Sequence, residues 1–298
     1  MLLTVNNLWE MRYMSIRRLR FAASGTALVF ALTVGMAPAA HAAIPALPRK
    51  ALPAALDART PYEGQVSCDP RSKPGVTAFA ALMTAQYKTG AKGTFSTCAG
   101  GTSEHYETRA LDWMLNVNNP TQKAIANSVT AWLSADNGAM ARRFGISYII
   151  WNRNIWGVYA PSRGWAAYKG AVPHTDHVHF SFSWDGAMKR TSWWTGRSTT
   201  VADLGPCQVY AGQYAPLYSG VRTGRCPALR PAPVSAYLVA VIGQRSAQIA
   251  LAQRLLGVKA DGVFGGVTFW RLVGWQACVR VPVTGVLDKA TWRRLTGR

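Results

Sequence analysis

Alternating apolar and polar residues predict a half-buried β-strand that begins near His177. From there the chain reads His-Val-His-Phe-Ser-Phe-Ser-Trp, and successive side chains of a strand point to opposite faces of the sheet. The apolar set, which we expect to face the core, is Val178, Phe180, Phe182 and Trp184. The polar set on the opposite face is His177, His179, Ser181 and Ser183.

A second segment around Asp112 follows the same rule. Leu111, Trp113 and Leu115 share one parity, and Asp112 has the other. Both segments therefore predict strands with an apolar back and metal-binding side chains on the front, because residues i and i+2 of a strand lie on one side.

The remaining pattern up to about residue 205 predicts helices around this sheet. Pro74 and Asn119-Pro120 each begin a segment with apolar residues at helical spacing, the second ending at Asp136-Asn-Gly138. The segment Gly145–Trp151 reads as a buried strand, and Gly157–Pro173 as a loop. We predict an α+β fold, with a small, mostly antiparallel sheet that carries a metal site and is flanked by helices.

Histidine is rare in this chain and clustered. Four of the five histidines are His105, His174, His177 and His179. A hydrolytic zinc site uses three nitrogen or oxygen ligands and keeps one position for water. His105, Asp112 and His179 would supply that set. The alternative is a group of satisfied polar pairs with no metal.

The sequence Ser103-x-His105-x-x-Thr108-x-Ala110-x-Asp112 resembles the Ser-x-His-x-x-Gly-x-Ala-x-Asp signature of D-alanyl-D-alanine carboxypeptidase-like metallopeptidases. That group also contains lysostaphin and the hedgehog signalling domain, and its second motif, His-x-His, matches residues 177–179. The resemblance implies that His105, Asp112 and His179 bind Zn²⁺.

The resemblance also implies catalytic roles. Asp176 stands where these enzymes place a general base, more often Glu, and His177 would stabilise the oxyanion or shuttle a proton. We also expect Ser103 and Arg109 to bind substrate. Thr108 replaces the signature glycine, so we expect a turn made without a positive φ.

An internal repeat marks a second unit near the C-terminus. Residues 260–269 align with residues 283–292, at an offset of 23. Each half reads as a tight turn followed by a helix start, with Thr268 and Thr291 as caps. The motif Asp-Gly-x-Phe-Gly-x-x-Thr makes residues 245–298 similar to a three-helix peptidoglycan-binding domain, which implies peptidoglycan as a partner.

Residues 14–42 predict a secretory signal. Three arginines precede the apolar run Phe21–Met36, and Ala40-His41-Ala42 supplies small residues for cleavage after Ala42. A retained membrane anchor is the alternative. We therefore expect a secreted, cell-wall-associated monomer without stable membrane association after cleavage.

Cysteine usage agrees with export. We predict that Cys68 pairs with Cys98 and Cys207 with Cys226, and that Cys278 is a buried free thiol. Spacing does not determine connectivity, so other pairings stay open.

The net charge of +20 predicts attraction to polyanions, although it could serve solubility alone. An anionic cell wall fits a secreted protein better than nucleic acid does, because the charges are scattered and no nucleic-acid-binding motif occurs.

These observations predict four regions. They are a signal peptide (1–42), a metallopeptidase-like domain (43–205), a disulfide loop and linker (206–235) and a peptidoglycan-binding domain (236–298). The expected function is zinc-dependent hydrolysis of amide bonds in peptidoglycan stem or cross-linking peptides, as a carboxypeptidase or an endopeptidase. The alternative is a non-catalytic wall-binding protein that keeps the fold.

Overall fold

The structure is a computed structural model that describes residues 44–90, 92–94, 102–209, 211, 214–230 and 240–297. The predicted signal segment, Cys98 and the linker that follows Arg230 lie outside these residues, so the predictions about them are not tested here.

An antiparallel sheet lies at the centre of the described residues between 44 and 209. Its six strands in the described part of the chain are β1 (Lys92–Gly93), β2 (Ala110–Trp113), β3 (Ile146–Trp151), β4 (Asn154–Gly157), β5 (Ala166–Ala167) and β6 (Val178–Phe182). They are ordered β1-β2-β6-β3-β4-β5, and every pairing is antiparallel. The predicted α+β class is therefore confirmed.

Helices flank the sheet and form the C-terminal unit. They are α1 (Pro74–Tyr87), α2 (Pro120–Phe144), α3 (Trp184–Ala187), α4 (Ser192–Thr195), α5 (Ala247–Leu255), α6 (Gly266–Cys278) and α7 (Lys289–Thr296), with 3₁₀ turns at Glu104–Glu107 and Pro161–Arg163. Within the described ranges, none of the helices has the length and apolar character needed to cross a membrane.

Helix α2 runs further than the sequence predicted. The backbone leaves helical geometry at residues 135–138, where Asp136, Asn137 and Gly138 have positive φ, and then resumes to Phe144. The predicted terminus at Asp136–Gly138 is therefore an interruption between two helical segments.

The apolar backs of the strands pack against α1. Phe79 lies 5.1 Å from Phe180 and 5.5 Å from Phe182 between ring centroids, and all three are fully buried. The strand ends at Phe182, two residues before the end of the predicted alternation, because Ser183 caps α3 by accepting a hydrogen bond from the Gly186 N–H. Trp184 consequently begins a helix and stacks on Tyr218.

A hairpin joins β3 to β4 inside a region where the sequence predicted no second strand. Trp151 pairs with Asn154, which leaves a two-residue turn at Asn152 and Arg153, both with positive φ. Such turns favour glycine, and its absence removed the usual sequence signal.

Two buried glutamines organise the C-terminal unit. Gln253 donates to Thr268 Oγ1 at 2.8 Å, and its Oε1 accepts from the Gly262 N–H at 2.8 Å. Gln276, 23 positions later, makes the equivalent bonds to Thr291 at 3.1 Å and from Gly285 at 2.9 Å. The sequence repeat is therefore a repeat of one hydrogen-bonded loop.

This arrangement corrects the predicted caps. Thr268 and Thr291 lie inside α6 and α7, whereas Gly265 and Asp288 occupy the N-cap positions. The threonine hydroxyls are instead acceptors for the buried glutamine amides.

The C-terminal unit shares a hydrophobic cluster with earlier parts of the chain. Its buried members include Ile242, Phe269 and Trp292 together with Cys68 and Leu217. The cluster therefore joins the three-helix unit to the segment that precedes α1 and to the loop tied by the Cys207–Cys226 disulfide.

The cysteine predictions have different outcomes. The Cys207–Cys226 disulfide is confirmed. Cys278 is free but exposed, so its predicted burial is wrong. It ends α6 two positions after the buried Gln276, on a part of the helix that faces away from the cluster.

A buried arginine joins β2 and β6 to the N-terminal segment. Arg109 is fully buried and donates to Glu107 Oε2 at 2.8 Å, to the Phe182 carbonyl at 2.6 Å and to the Glu63 carbonyl at 3.0 Å. Its guanidinium lies 4.8 Å from the Trp184 ring centroid.

We predict that Gln276→Ala destabilises the C-terminal unit by about 2–4 kcal/mol, because buried amide, hydroxyl and carbonyl groups lose their partner. Urea unfolding followed by tryptophan fluorescence would measure this. Gln248→Ala, at an exposed position of α5, is the matched control and should change stability by less than about 0.5 kcal/mol. Equal effects of the two variants would contradict the assigned role of Gln276.

We predict that Glu63 makes a pH-dependent contribution to the free energy of unfolding. Both its carboxylate oxygens are buried, and burial raises its pKa from 4.5 to about 7, against the opposing effects of Arg109 and of the Trp184 backbone. Because the folded state binds more protons between these values, its contribution to stability is present below pH 4.5 and lost as the pH rises through 7.

Glu63→Gln cannot titrate, so its stability relative to wild type should improve by up to about 3 kcal/mol between pH 4.5 and pH 8. Denaturant unfolding across this pH range is the measurement. Asp136→Asn, which removes an exposed carboxylate, is the control, and a pH-independent difference for Glu63→Gln would refute the prediction.

Candidate metal centre

Strand pairing and one 3₁₀ turn bring three separated residues together. Asp112 on β2 lies directly opposite His179 on β6, and the turn Glu104–Glu107 places His105 beside them. Asp112 Oδ1 lies 3.1 Å from His105 Nε2 and 3.0 Å from His179 Nδ1, and the two nitrogens are 3.3 Å apart.

These distances fit a metal ion. Ligand bonds of about 2.0–2.2 Å in a tetrahedral zinc site separate neighbouring ligand atoms by roughly 3.4 Å. The three observed separations of 3.0–3.3 Å approach that value. In the metal-free protein the same separations let His105 and His179 each donate a hydrogen bond to Asp112 Oδ1.

The group that could hold a metal ion therefore consists of His105, Asp112 and His179, as the sequence predicted.

The turn between His105 and Asp112 does not follow the expected conformation. Thr108 has φ +54° and ψ +27°, so a β-branched residue adopts the left-handed conformation for which the signature uses glycine. Its Oγ1 donates to the Asp69 carbonyl at 2.9 Å, a buried bond that helps to hold this conformation. The expectation of a turn without positive φ is wrong.

Each histidine ligand is also held at its second nitrogen. His105 Nδ1 lies 3.3 Å from the Thr94 carbonyl, and His179 Nε2 lies 2.9 Å from Ser181 Oγ. Such outer contacts fix the orientation of metal-binding histidines.

Burial and mutual contacts shift the pKa values of His105, Asp112 and His179. Burial favours the neutral form of Asp112, but hydrogen bonds from His105 and His179 outweigh it and hold the pKa of this carboxyl well below its usual range. Burial lowers the pKa of His179. For His105, contact with Asp112 outweighs burial and raises the pKa. An ionised carboxylate beside two imidazoles is a suitable donor set for a divalent cation.

The predicted catalytic pair lies at the edge of this group. Asp176 occupies the bend before β6, and its side chain is 64% exposed. His177 Nδ1 lies 2.8 Å from Asp176 Oδ1, and His177 Nε2 lies 3.6 Å from Asp112 Oδ1. His177 thus stands between the exposed carboxylate and the metal-binding group.

The two residues predicted to bind substrate, Ser103 and Arg109, lie in different surroundings. Ser103 caps the 3₁₀ turn, where its Oγ accepts a hydrogen bond from the His105 N–H at 3.3 Å. Arg109 is buried among protein partners and points away from solvent, so its predicted role in substrate binding does not fit this placement.

Sequence analysis missed two groups behind the ligands. Tyr148 on β3 stacks on the His179 ring at 5.6 Å between centroids, and its hydroxyl donates to Glu104 Oε2. Glu104 is buried, and it occupies a position that the signature leaves variable. Because Tyr148 and Glu104 come from separate elements, no local pattern could have paired them.

Comparison with known families gives two matches. Residues 68–179 match the family model described as VldE, C-terminal domain, a range that ends at His179 and includes all three candidate ligands. Residues 245–295 match a peptidoglycan binding domain. No curated protein and no solved structure matches the chain.

The second match supports peptidoglycan as a partner and association with the cell wall. It agrees with the three helices α5–α7 and with the repeated glutamine loops that the structure places between residues 240 and 297.

We predict that the purified chain binds one divalent metal ion and that Asp112→Ala loses it, because the carboxylate oxygen is the atom shared by both histidines. Dialysis against Zn²⁺ followed by elemental analysis is the measurement. Asp176→Ala is the control and should keep the metal, since Asp176 lies outside the candidate group. Metal retained in Asp112→Ala would show that these residues are not the ligands.

Proposed function

We propose that this protein is a secreted zinc peptidase that hydrolyses amide bonds in the stem or cross-linking peptides of peptidoglycan. The observation that supports it most directly is the triangle of His105, Asp112 and His179, with a histidine and an exposed carboxylate beside it. The peptidoglycan binding domain supports the choice of substrate.

A zinc ion held by the three ligands would supply a Lewis acid and lower the pKa of water to about 7. Asp176 would accept the proton of the attacking water through Oδ2, since Oδ1 is the atom next to His177. His177 would stand beside the oxyanion that develops on the scissile carbonyl and stabilise it.

The C-terminal unit would hold the enzyme at its substrate. Binding to an insoluble polymer raises the effective concentration of an attached active site without any new contact at that site. The net charge of +20 would add attraction to anionic wall polymers, and this attraction should weaken with salt.

A non-catalytic wall-binding protein is the second candidate. The observation that favours it is the 64% exposure of the Asp176 side chain, because a general base is usually held in a more enclosed place. In that case the metal would stabilise the fold, and the C-terminal unit would provide the binding to the cell wall.

We predict that the zinc-loaded protein creates new termini in purified peptidoglycan, detected by mass spectrometry of the released muropeptides. Asp176→Asn should keep zinc and lose about 10²–10⁴-fold in rate, because it removes only the proton acceptor. Asp136→Asn, on α2, is the matched control and should keep the wild-type rate.

The outcomes separate the two candidate functions. Zinc binding with an unchanged muropeptide profile would favour the non-catalytic protein. Activity that survives the loss of zinc in Asp112→Ala would refute the proposed mechanism.

A further inference from the structure

Glu104 is a buried carboxylate directly behind the candidate metal ligands. The residue is 4% exposed and lies on the same 3₁₀ turn as His105. The Tyr148 hydroxyl donates to Oε2, and the Tyr62 hydroxyl donates to Oε1 at 3.4 Å. Hydroxyl donors around a buried carboxylate are the arrangement expected for an acceptor with a defined orientation.

A hydrogen-bonded chain joins this carboxylate to His179. Ser181 Oγ donates to Glu104 Oε2 at 3.5 Å and also lies 2.9 Å from His179 Nε2. Ser181 is fully buried and His179 is 6% exposed, so solvent cannot easily replace either contact.

The direction of this chain follows from donor counting. Ser181 has a single hydroxyl hydrogen, and Glu104, already accepting from Tyr148, offers no hydrogen in return when ionised. If the Ser181 hydrogen goes to Glu104, its oxygen must accept the Nε2–H of His179. A metal ion on Nδ1, the atom that faces Asp112 and His105, requires this same tautomer, whereas without a metal the Asp112 carboxylate, 3.0 Å from Nδ1, competes for the ring proton.

We propose that Glu104 is a positioning residue that acts through Ser181 to hold His179 in the tautomer that can bind a metal. The proposal rests on the metal site of the proposed function and does not require catalysis. Glu104 has no hydrogen bond to Asp112 or His179 among the described residues, so its hydrogen-bonded path to His179 passes through the Ser181 hydroxyl.

The ring stack supports the same role. Tyr148 places its ring parallel to His179, with an interplanar angle of 24°, while its hydroxyl contacts Glu104. Tyr148 therefore restrains both the plane of the His179 ring and the Glu104 carboxylate that controls which nitrogen of His179 carries the proton.

Replacement of the carboxylate by an amide provides the sharpest test. In Glu104→Gln, the amide can donate to Ser181 Oγ, which would let the hydroxyl donate to His179 Nε2 and move the ring proton to Nδ1. We expect a 10–100-fold loss of Zn²⁺ affinity, measured by competition with a chromophoric chelator, with the fold unchanged by circular dichroism.

A second readout observes the tautomer directly. Long-range ¹H–¹⁵N correlation spectra of the metal-free protein should show a larger fraction of His179 protonated on Nδ1 in Glu104→Gln than in the wild type, because Asp112 then competes with a weaker acceptor at Nε2. Ser181→Ala should also weaken Zn²⁺ binding, because it interrupts the chain. Tyr62→Phe is the matched control, since it removes a donor from the other oxygen of Glu104, and should change affinity less than about 3-fold.

The proposal and the proposed function can fail separately. An unchanged His179 tautomer and unchanged Zn²⁺ affinity in a folded Glu104→Gln would overturn the role of Glu104. If Tyr62→Phe weakened binding as much as Glu104→Gln, the effect would be general packing and the proposal would also be wrong. An inactive wild type that binds Zn²⁺ and shows the predicted tautomers would remove the peptidase assignment and keep this one.

Discussion

The antiparallel register between β2 and β6 is the constraint on which the candidate site depends. It places Asp112 opposite His179 while Leu111 and Phe180 turn towards α1. Because strand side chains alternate, a shift of one residue would move one ligand into the apolar core and expose core residues on the other face. The burial of the aromatic core thus determines the geometry of the candidate metal ligands, and the two cannot vary independently.

The rest of the site contains buried polar groups, which need hydrogen-bond or charge partners. His105 reaches the pair only because the chain turns sharply at Thr108, whose left-handed backbone carries a cost of about 1–3 kcal/mol for a residue of this type. Arg109 neutralises the charge of Glu107, to which its guanidinium donates a hydrogen bond. The same guanidinium donates to the Phe182 carbonyl at the end of β6. The site is therefore supported from behind by a buried network, in which any single unpaired member would be destabilising.

The C-terminal unit contacts the region that holds the site. Its hydrophobic cluster includes Cys68 and Leu217, and Tyr106, the neighbour of His105, packs against the same cluster. A wall-binding unit packed in this way would have a set orientation relative to the metal-binding turn. This differs from a unit that is tethered by a linker alone, for which only the effective concentration would matter.

The sequence alone determined the strands at Asp112 and His179, the starts of α1 and α2, the three candidate ligands and the C-terminal repeat, because periodicity and clustering of rare residues are local signals. Tertiary structure decided what those signals do not contain. The partners of Glu104, the burial of Arg109 and the glutamine contacts in the repeat come from residues distant in the chain, as does the exposure of Cys278. A polar residue acquires its role from the groups that surround it after folding, and these are set by packing between elements rather than by spacing along the chain.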